Sequence, residues 1–363
     1  MEATREGAMA VGSDNEREGW TRRGLLVGAA ALPFLLTGCL DKSVAARPAD
    51  ADTDAFPLDI KHALGTTRIE RVPKRIAALG WSSTDICTDL ALMPVGYPLA
   101  PERGEGLSPW LLKSAGVLNV PLPPGYREDT GLPLNELRKL KPDVILAANA
   151  SFDADDFPTL SQIAPTVAWP GRPADTDWRT ATSLIAKTVG RPGAGDGLVK
   201  AVETEIAAAL ATYPDLNGAT VLCLAARSAP GASFEVYAEE SNPMRVLKDF
   251  GLRPAPALRT IAAEGRAVDP GKGPRTFLWD ASRARQLDAD VIVVSVRPEE
   301  RHDIEQNDVL GPIPAHARGA TTIVTTDLDL YALVAPSTAS VRWTLKTLMP
   351  ELARCAYRSK ANV

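Results

Sequence analysis

The residue best placed to do chemistry is Cys39. It closes the tetrad Leu36-Thr37-Gly38-Cys39 at the end of an apolar run, Val27 to Leu36. A polar, charged segment and Thr21-Arg22-Arg23-Gly24-Leu25-Leu26 precede that run. A charged stretch, a short apolar stretch and a small residue before the cut are the parts of a signal peptide. The tetrad resembles a lipobox, in which the Cys thiol is acylated and becomes the first residue of the mature chain. The pair Arg22-Arg23 resembles a twin-arginine export signal. The run is shorter than the roughly 20 residues a bilayer requires, and Pro33 interrupts it. The expectation is an exported chain, lipid-anchored through Cys39 to the outer face of the cytoplasmic membrane.

Other reactive chemistry is scarce. There are only three histidines, His62, His302 and His316, too few and too scattered for the converging ligands of a bare zinc or manganese site. No Gly-x-Ser-x-Gly elbow and no Walker loop occurs, so no catalytic residues and no protein-held metal are expected. Gly193-Ala194-Gly195-Asp196-Gly197 follows Pro192 and not a strand, and reads as a helix break and cap. Net charge is −5, which argues against nucleic acid as a partner. Beyond Cys39 the thiols are Cys87, Cys223 and Cys355. One disulfide could form among them, although Cys223 within Val221-Leu222-Cys223-Leu224 reads as a buried core thiol.

The elements that must position a site are short β-branched runs alternating with helical patterns. Buried parallel strands are expected at Arg75–Leu79, Val144–Ala148, Thr220–Leu224, Val291–Val296 and Thr322–Thr325. Helices are expected at Thr84–Leu92, Asn135–Leu140, Asp177–Val189 and Asp196–Thr212, the last with Val199, Val202, Ile206 and Leu210 on one face. Such alternation predicts an α/β fold of two Rossmann-like lobes with parallel sheets joined by a long helical backbone. The divisions are a signal peptide at 1–38, an Ala/Asp/Pro-rich flexible tether at 39–56, an N-terminal lobe at 57–172, a helical connector at 173–212 and a C-terminal lobe at 213–363. Leu140-Lys141-Pro142-Asp143-Val144-Ile145-Leu146 is echoed by Leu287-Asp288-Ala289-Asp290-Val291-Ile292-Val293, as a structural repeat would be. Ligands of parallel α/β sheets bind beyond the carboxyl ends of strands. That rule selects Trp81, Asn149, Phe152, Arg227, Arg297 and Tyr331. Trp178 and Trp343 lie on helical segments and read as packing residues.

In its order of segments the chain resembles the substrate-binding proteins of iron-siderophore ABC transporters. The resemblance is carried by Pro73-Lys74-Arg75-Ile76-Ala77-Ala78-Leu79-Gly80-Trp81, Leu92-Met93-Pro94-Val95-Gly96, the Leu140 segment, Leu160-Ser161-Gln162-Ile163-Ala164-Pro165-Thr166-Val167, Asp177-Trp178-Arg179, Tyr213-Pro214-Asp215-Leu216-Asn217-Gly218 and the Leu287 segment. It implies a ferric siderophore held in the cleft between lobes and delivered to an ABC permease and its ATPase by a monomeric, non-enzymatic protein. It adds Arg103 and Trp110, on the stretch after Gly96, to the ligand-binding set. Because the siderophore already chelates the iron, such a site needs flat aromatic surfaces and guanidinium groups and no resident cofactor. Haem, with Tyr97, Tyr126 or Tyr237 as axial ligand, and cobalamin stay open as alternative ligands. An exported enzyme is a more distant alternative. The resemblance also implies one Glu on each lobe for permease docking. The matching positions here are Asn135 and Ser282, so docking is assigned to their neighbours Glu136 and Asp280.

Overall fold

The computed structural model describes residues 51–99, 108–228, 233–268, 275–325 and 327–361. Cys39 and Arg103, and the signal peptide, lie outside the described residues.

The first sheet is built on runs whose side chains are all buried. Ile76–Ala78 pairs in parallel with Val144–Leu146, which pairs in parallel with Thr166–Val167. A parallel bridge between Ala77 and Gly96 attaches a further pair of short parallel strands, Tyr97–Pro98 and Gly125–Tyr126. A hairpin of Leu58–His62 and Gly65–Ile69 precedes them. The chain is already held at Asp52, whose N–H donates to the Gly190 carbonyl at 2.8 Å.

The second sheet has a parallel centre. Thr220–Ala225 lies between Val291–Ser295 and Arg253–Pro254, and Val291–Ser295 pairs with Thr321–Val324. It is not parallel throughout. Phe234–Tyr237, Thr276–Trp279 and Arg266–Val268 extend it as antiparallel neighbours. Of these three only Arg266–Val268 is an edge strand; the runs are only three or four residues long, too short for periodicity alone to mark them.

The repeated acidic residue has the same task in both sheets. Asp143 Oδ2 and Oδ1 accept from the Lys74 and Arg75 N–H groups, each at 2.8 Å, just before Ile76–Ala78 begins. Asp290 Oδ2 accepts from the Thr220 N–H and hydroxyl, each at 2.8 Å, while its own N–H donates to Thr220 Oγ1 at 2.9 Å. In each lobe the Asp before one strand clamps the start of its neighbour. Burial opposes the Asp290 charge, but the Thr220 bonds, with help from Ser359 and Arg318, hold its carboxyl below the usual value. That contribution is present above the unfolded-state pKa and is lost as acidification carries the pH down through the folded-state pKa. Asp290→Ala is expected to lower unfolding stability by about 2 kcal/mol, readable as a lower melting midpoint, with Asp290→Asn losing about half as much.

The connector is a helical hairpin, Trp178–Thr188 followed by Pro192–Thr212. The break falls at Val189–Arg191. The glycine segment, read from sequence as break and cap, instead lies inside the second helix. Pro192 starts that helix without the N–H it would leave unpaired there. A Cβ on Gly195 would sit 2.4 Å from the Ala186 Cβ, so glycine permits the close approach of the two helices. Each helix touches both cores. Trp178 is packed with the second sheet's residues, whereas Ala181, Ile185, Ala186 and Val189 join the first sheet's. Ala194 and Leu198 pack on the first core, and Val202 and Ile206 on the second. The thiols of Cys87, Cys223 and Cys355 are all free and buried.

Candidate functional site

The residues selected from the sequence lie mostly past the carboxyl ends of the parallel strands of the two sheets. Gly80, with φ +74°, turns the chain out of Ile76–Ala78 and into the helix Trp81–Asp89. A side chain at Gly80 would crowd the Asn149–Ala150 backbone, so the turn needs glycine on two counts. The turn places Trp81 at the mouth of the strand. The Trp81 ring stacks on Tyr331 of the helix Asp327–Val334, with centroids 4.6 Å apart and planes 11° from parallel. Two residues named from the strand-end rule, 250 positions apart in the chain, thus meet face to face.

Trp110 lies on Pro109–Leu118, a helix capped by the Ser108 hydroxyl. It tilts against Trp343 at 5.7 Å, and the Trp343 N–H donates to Asp329 Oδ1 at 2.7 Å. Trp343 is therefore half-buried beside a named site residue, not a plain packing residue.

Arg227 and Arg297 leave neighbouring strands. Ala225 and Ser295 are directly paired, and each arginine follows two residues later, just past the paired ends. Arg227 lies 3.7 Å from Glu300, and Arg297 is exposed. Together they make a cationic edge suited to carboxylate, catecholate or hydroxamate oxygens.

Asn149 and Phe152 do not join this set. Asn149 is 3% exposed, and its Oδ1 accepts from the Thr176 N–H at 3.0 Å, which ties down the chain entering the connector. Phe152 is turned inward against Trp169 at 4.3 Å. In both cases the residue follows the strand as expected, but the loop folds its side chain back into the lobe. Tyr97, Tyr126 and Tyr237 are likewise buried, and Tyr126 donates its O–H to the Ala78 carbonyl. They are poorly placed to act as axial ligands to a haem at the strand ends. Among the described residues no group of three His, Cys, Asp or Glu side chains could hold a metal. His62 is part of the core, with its Nε2 2.9 Å from Thr67 Oγ1.

Two acids were not legible as site residues. Glu128 follows the two-residue strand Gly125–Tyr126, too short to show periodicity, and both its carboxylate oxygens lie 3.2 Å from the Gly80 N–H. Burial raises its pKa to about 7 against the opposing Gly80 bond. Asp85, one turn below Trp81, accepts from the Ser337 hydroxyl at 2.8 Å. Burial is the largest cause raising its pKa to about 7; Asp89 adds to this, and donors from Ser337 and Trp110 partly offset it.

Of the two docking candidates, Glu136 is exposed in the first turn of Leu134–Leu140, at the rim of a cavity of about 420 Å³ lined by Tyr126, Arg127 and Pro133. Asp280 is exposed and caps Ala281–Gln286 through the Ser282 N–H at 2.8 Å. The Ser282 hydrogen bonds hold its carboxyl below the usual value.

The family described as periplasmic binding protein matches residues 76–322. Among solved structures the chain is similar to PiaA of Streptococcus pneumoniae in complex with ferrichrome, with 26% identity, a TM-score of 0.73, and coverage of 83% of this chain and 99% of that one. It is also similar to SirA of Staphylococcus aureus complexed with staphyloferrin B, at 23% identity and a TM-score of 0.63, covering 81% and 98%. The latter likeness is one of fold. A curated relative in Bacillus subtilis (strain 168), named as an ABC transporter substrate-binding lipoprotein, YhfQ, is 28% identical over 44% of this chain and 48% of its own length.

Proposed function

Because this chain belongs to the periplasmic binding protein family, a non-enzymatic class of transporter component, we propose that it captures a ferric siderophore between its two lobes and hands it to an ABC permease for iron uptake. The observation that carries this reading is the Trp81–Tyr331 stack, which joins the strand end of the first sheet to the helix that follows the last strand of the second; Arg227 and Arg297 lie just past the ends of the paired strands Thr220–Ala225 and Val291–Ser295. Aromatic rings match the organic shell of a chelate, and guanidinium groups match its anionic oxygens. The likeness to a ferrichrome-bound protein over nearly the whole of that protein supports the same ligand class. Capture proceeds with modest closure, since each connector helix is rooted in both cores. Glu136 and Asp280, exposed on different lobes, are the proposed contacts for the permease.

Calorimetric titration against ferric hydroxamate, catecholate and carboxylate siderophores, with haem and cobalamin alongside, tests the ligand class. Saturable binding of at least one ferric siderophore, and not of its iron-free form at equal strength, is the expected result. Tight binding of haem or cobalamin alone would replace the reading.

Cys39 is the proposed lipid anchor. Among the described residues no helix is long and apolar enough to cross a membrane, and a tethered protein keeps a high local concentration at its permease. Cys39→Ala is expected to release the protein from the membrane fraction into the medium, with ligand affinity unchanged within about twofold.

A further inference from the structure

Residues 81, 85 and 89 of the helix Trp81–Asp89 lie one above the other on a single face. All three touch the segment that follows the second sheet. Trp81 stacks on Tyr331. Asp85 Oδ2 accepts from Ser337 Oγ at 2.8 Å, and Asp89 Oδ2 accepts from Thr338 Oγ1 at 2.5 Å. Arg342 lies 3.6 Å from Asp89 and also reaches Glu205 at 2.9 Å. The stack is at the cleft end of this seam, and the carboxylates lie about 6 and 12 Å deeper along the helix axis.

Ser337 makes the middle contact directional. It caps the helix Thr338–Thr347, where its hydroxyl accepts from the Ser340 N–H at 3.0 Å and the Ser340 hydroxyl accepts from the Ser337 N–H at 2.8 Å. One of its lone pairs is engaged by the cap, and its proton is donated to Asp85 Oδ2. Asp85 is 3% exposed. The charged or titratable groups around it are Asp89 and Cys87 on its own helix and, through Asp89, Arg342 and Glu205 on the elements packed against it. From Pro109–Leu118 the Trp110 indole N–H faces it, close enough to favour its charge though outside hydrogen-bond geometry.

We propose that Asp85 is a positioning residue for the binding cleft: through Ser337 it fixes the helix that carries Trp81 against the segment that carries Tyr331, and so sets the spacing of the two rings that the ligand must cover or part. The inference rests on the reading of this cleft as the ligand site. Asp85 does not itself reach the ligand. Its neutral form accepts the Ser337 bond through the carbonyl oxygen without placing a second buried charge beside Asp89. Burial disfavours the charge on Asp85 more than the Ser337 bond favours it, so the seam is expected to hold best with Asp85 neutral.

The test is affinity for a neutral ferric trihydroxamate between pH 5.5 and 8.5, with wild type, Asp85→Asn, Asp85→Leu and Ser337→Ala, each checked by thermal melting to be folded. Asparagine keeps an acceptor for Ser337 but cannot ionise. The expected result is wild-type binding several-fold tighter at pH 5.5 than at 8.5, a clearly shallower profile for Asp85→Asn with the residual slope removed by adding Glu128→Gln, whose carboxyl also titrates near 7 beside Gly80, and at least a tenfold loss for Asp85→Leu and Ser337→Ala. Folded Asp85→Leu and Ser337→Ala proteins that bind like wild type, or an Asp85→Asn protein that keeps the wild-type pH profile, would overturn the proposal. A wild-type protein that binds no ferric siderophore of any class sinks the ligand reading itself, and the inference with it.

Discussion

Replacing Arg227 and Arg297 together by alanine is expected to weaken ferric-siderophore binding on the order of 100-fold while leaving the melting midpoint close to wild type. Each arginine offers charge-assisted hydrogen bonds of about 1.5–3 kcal/mol, and about 1.4 kcal/mol corresponds to tenfold in affinity. The lower end of that range is appropriate because both groups retain contact with water; the Arg227 side chain is 32% exposed. Loss of Arg227 has an added consequence. Glu300, 3.7 Å away and 20% exposed, is left as an uncompensated carboxylate at the edge where an anionic chelate arrives. Arg227→Ala alone is therefore expected to cost more than Arg297→Ala, and Glu300→Gln should partly restore it. Arg→Lys at both positions should fall between, since an ammonium keeps the charge but not the planar fork. Calorimetric affinities at fixed salt check the ranking. Equal affinity in the wild type and the double alanine variant would remove the cationic edge from the site.

Stability should fall as pH rises from about 4 to 7, through Asp85 and Glu128. Both carboxyls have their pKa raised to about 7 in the folded protein, chiefly by burial. The folded state then binds more protons than the unfolded state between the ordinary carboxylate range and 7, so protonation favours folding there. The benefit is fully present below the unfolded-state pKa, is lost as pH rises through the folded value and changes little above it. For Asp85 a rise from 3.8 to about 7 corresponds to about 4 kcal/mol. Asp85→Asn should match wild type in unfolding free energy near pH 4 and exceed it by up to that amount at pH 8. Denaturant unfolding at both pH values checks this. A wild-type stability that rises between pH 5 and 8, with no change in slope in Asp85→Asn, would contradict the buried-acid account.

The fold was legible because its central strands are buried on both faces. Runs such as Val144–Leu146 and Val291–Ser295 have no polar side to disguise them, and the Asp143 and Asp290 clamps repeat in sequence as they do in space. Strands of two residues, such as Gly125–Tyr126, leave no periodic trace, and Glu128 was lost with them. The glycines of 193–197 signalled a break, whereas their smallness serves helix contact at Ala186.

The strand-end rule selects Trp81, Tyr331, Arg227 and Arg297 because it depends only on where a strand stops, and the Trp81–Tyr331 stack is the contact the structure adds to that selection. It placed Asn149 and Phe152 correctly in the chain, but side-chain direction in the loop is decided by partners far away in sequence, Thr176 and Trp169. The seam partners Asp85 and Ser337, 252 residues apart, could not be joined by any local pattern.

The central claim is that the cleft between the lobes binds a ferric siderophore against Trp81. Titration of the intrinsic tryptophan fluorescence with ferric siderophores, comparing wild type with Trp81→Phe, addresses it most directly. The account predicts saturable quenching in the wild type, with a clearly smaller amplitude in Trp81→Phe and no chemical change in the ligand recovered afterwards. Unsaturable quenching of equal size in both proteins, or recovery of a chemically altered ligand, would contradict it.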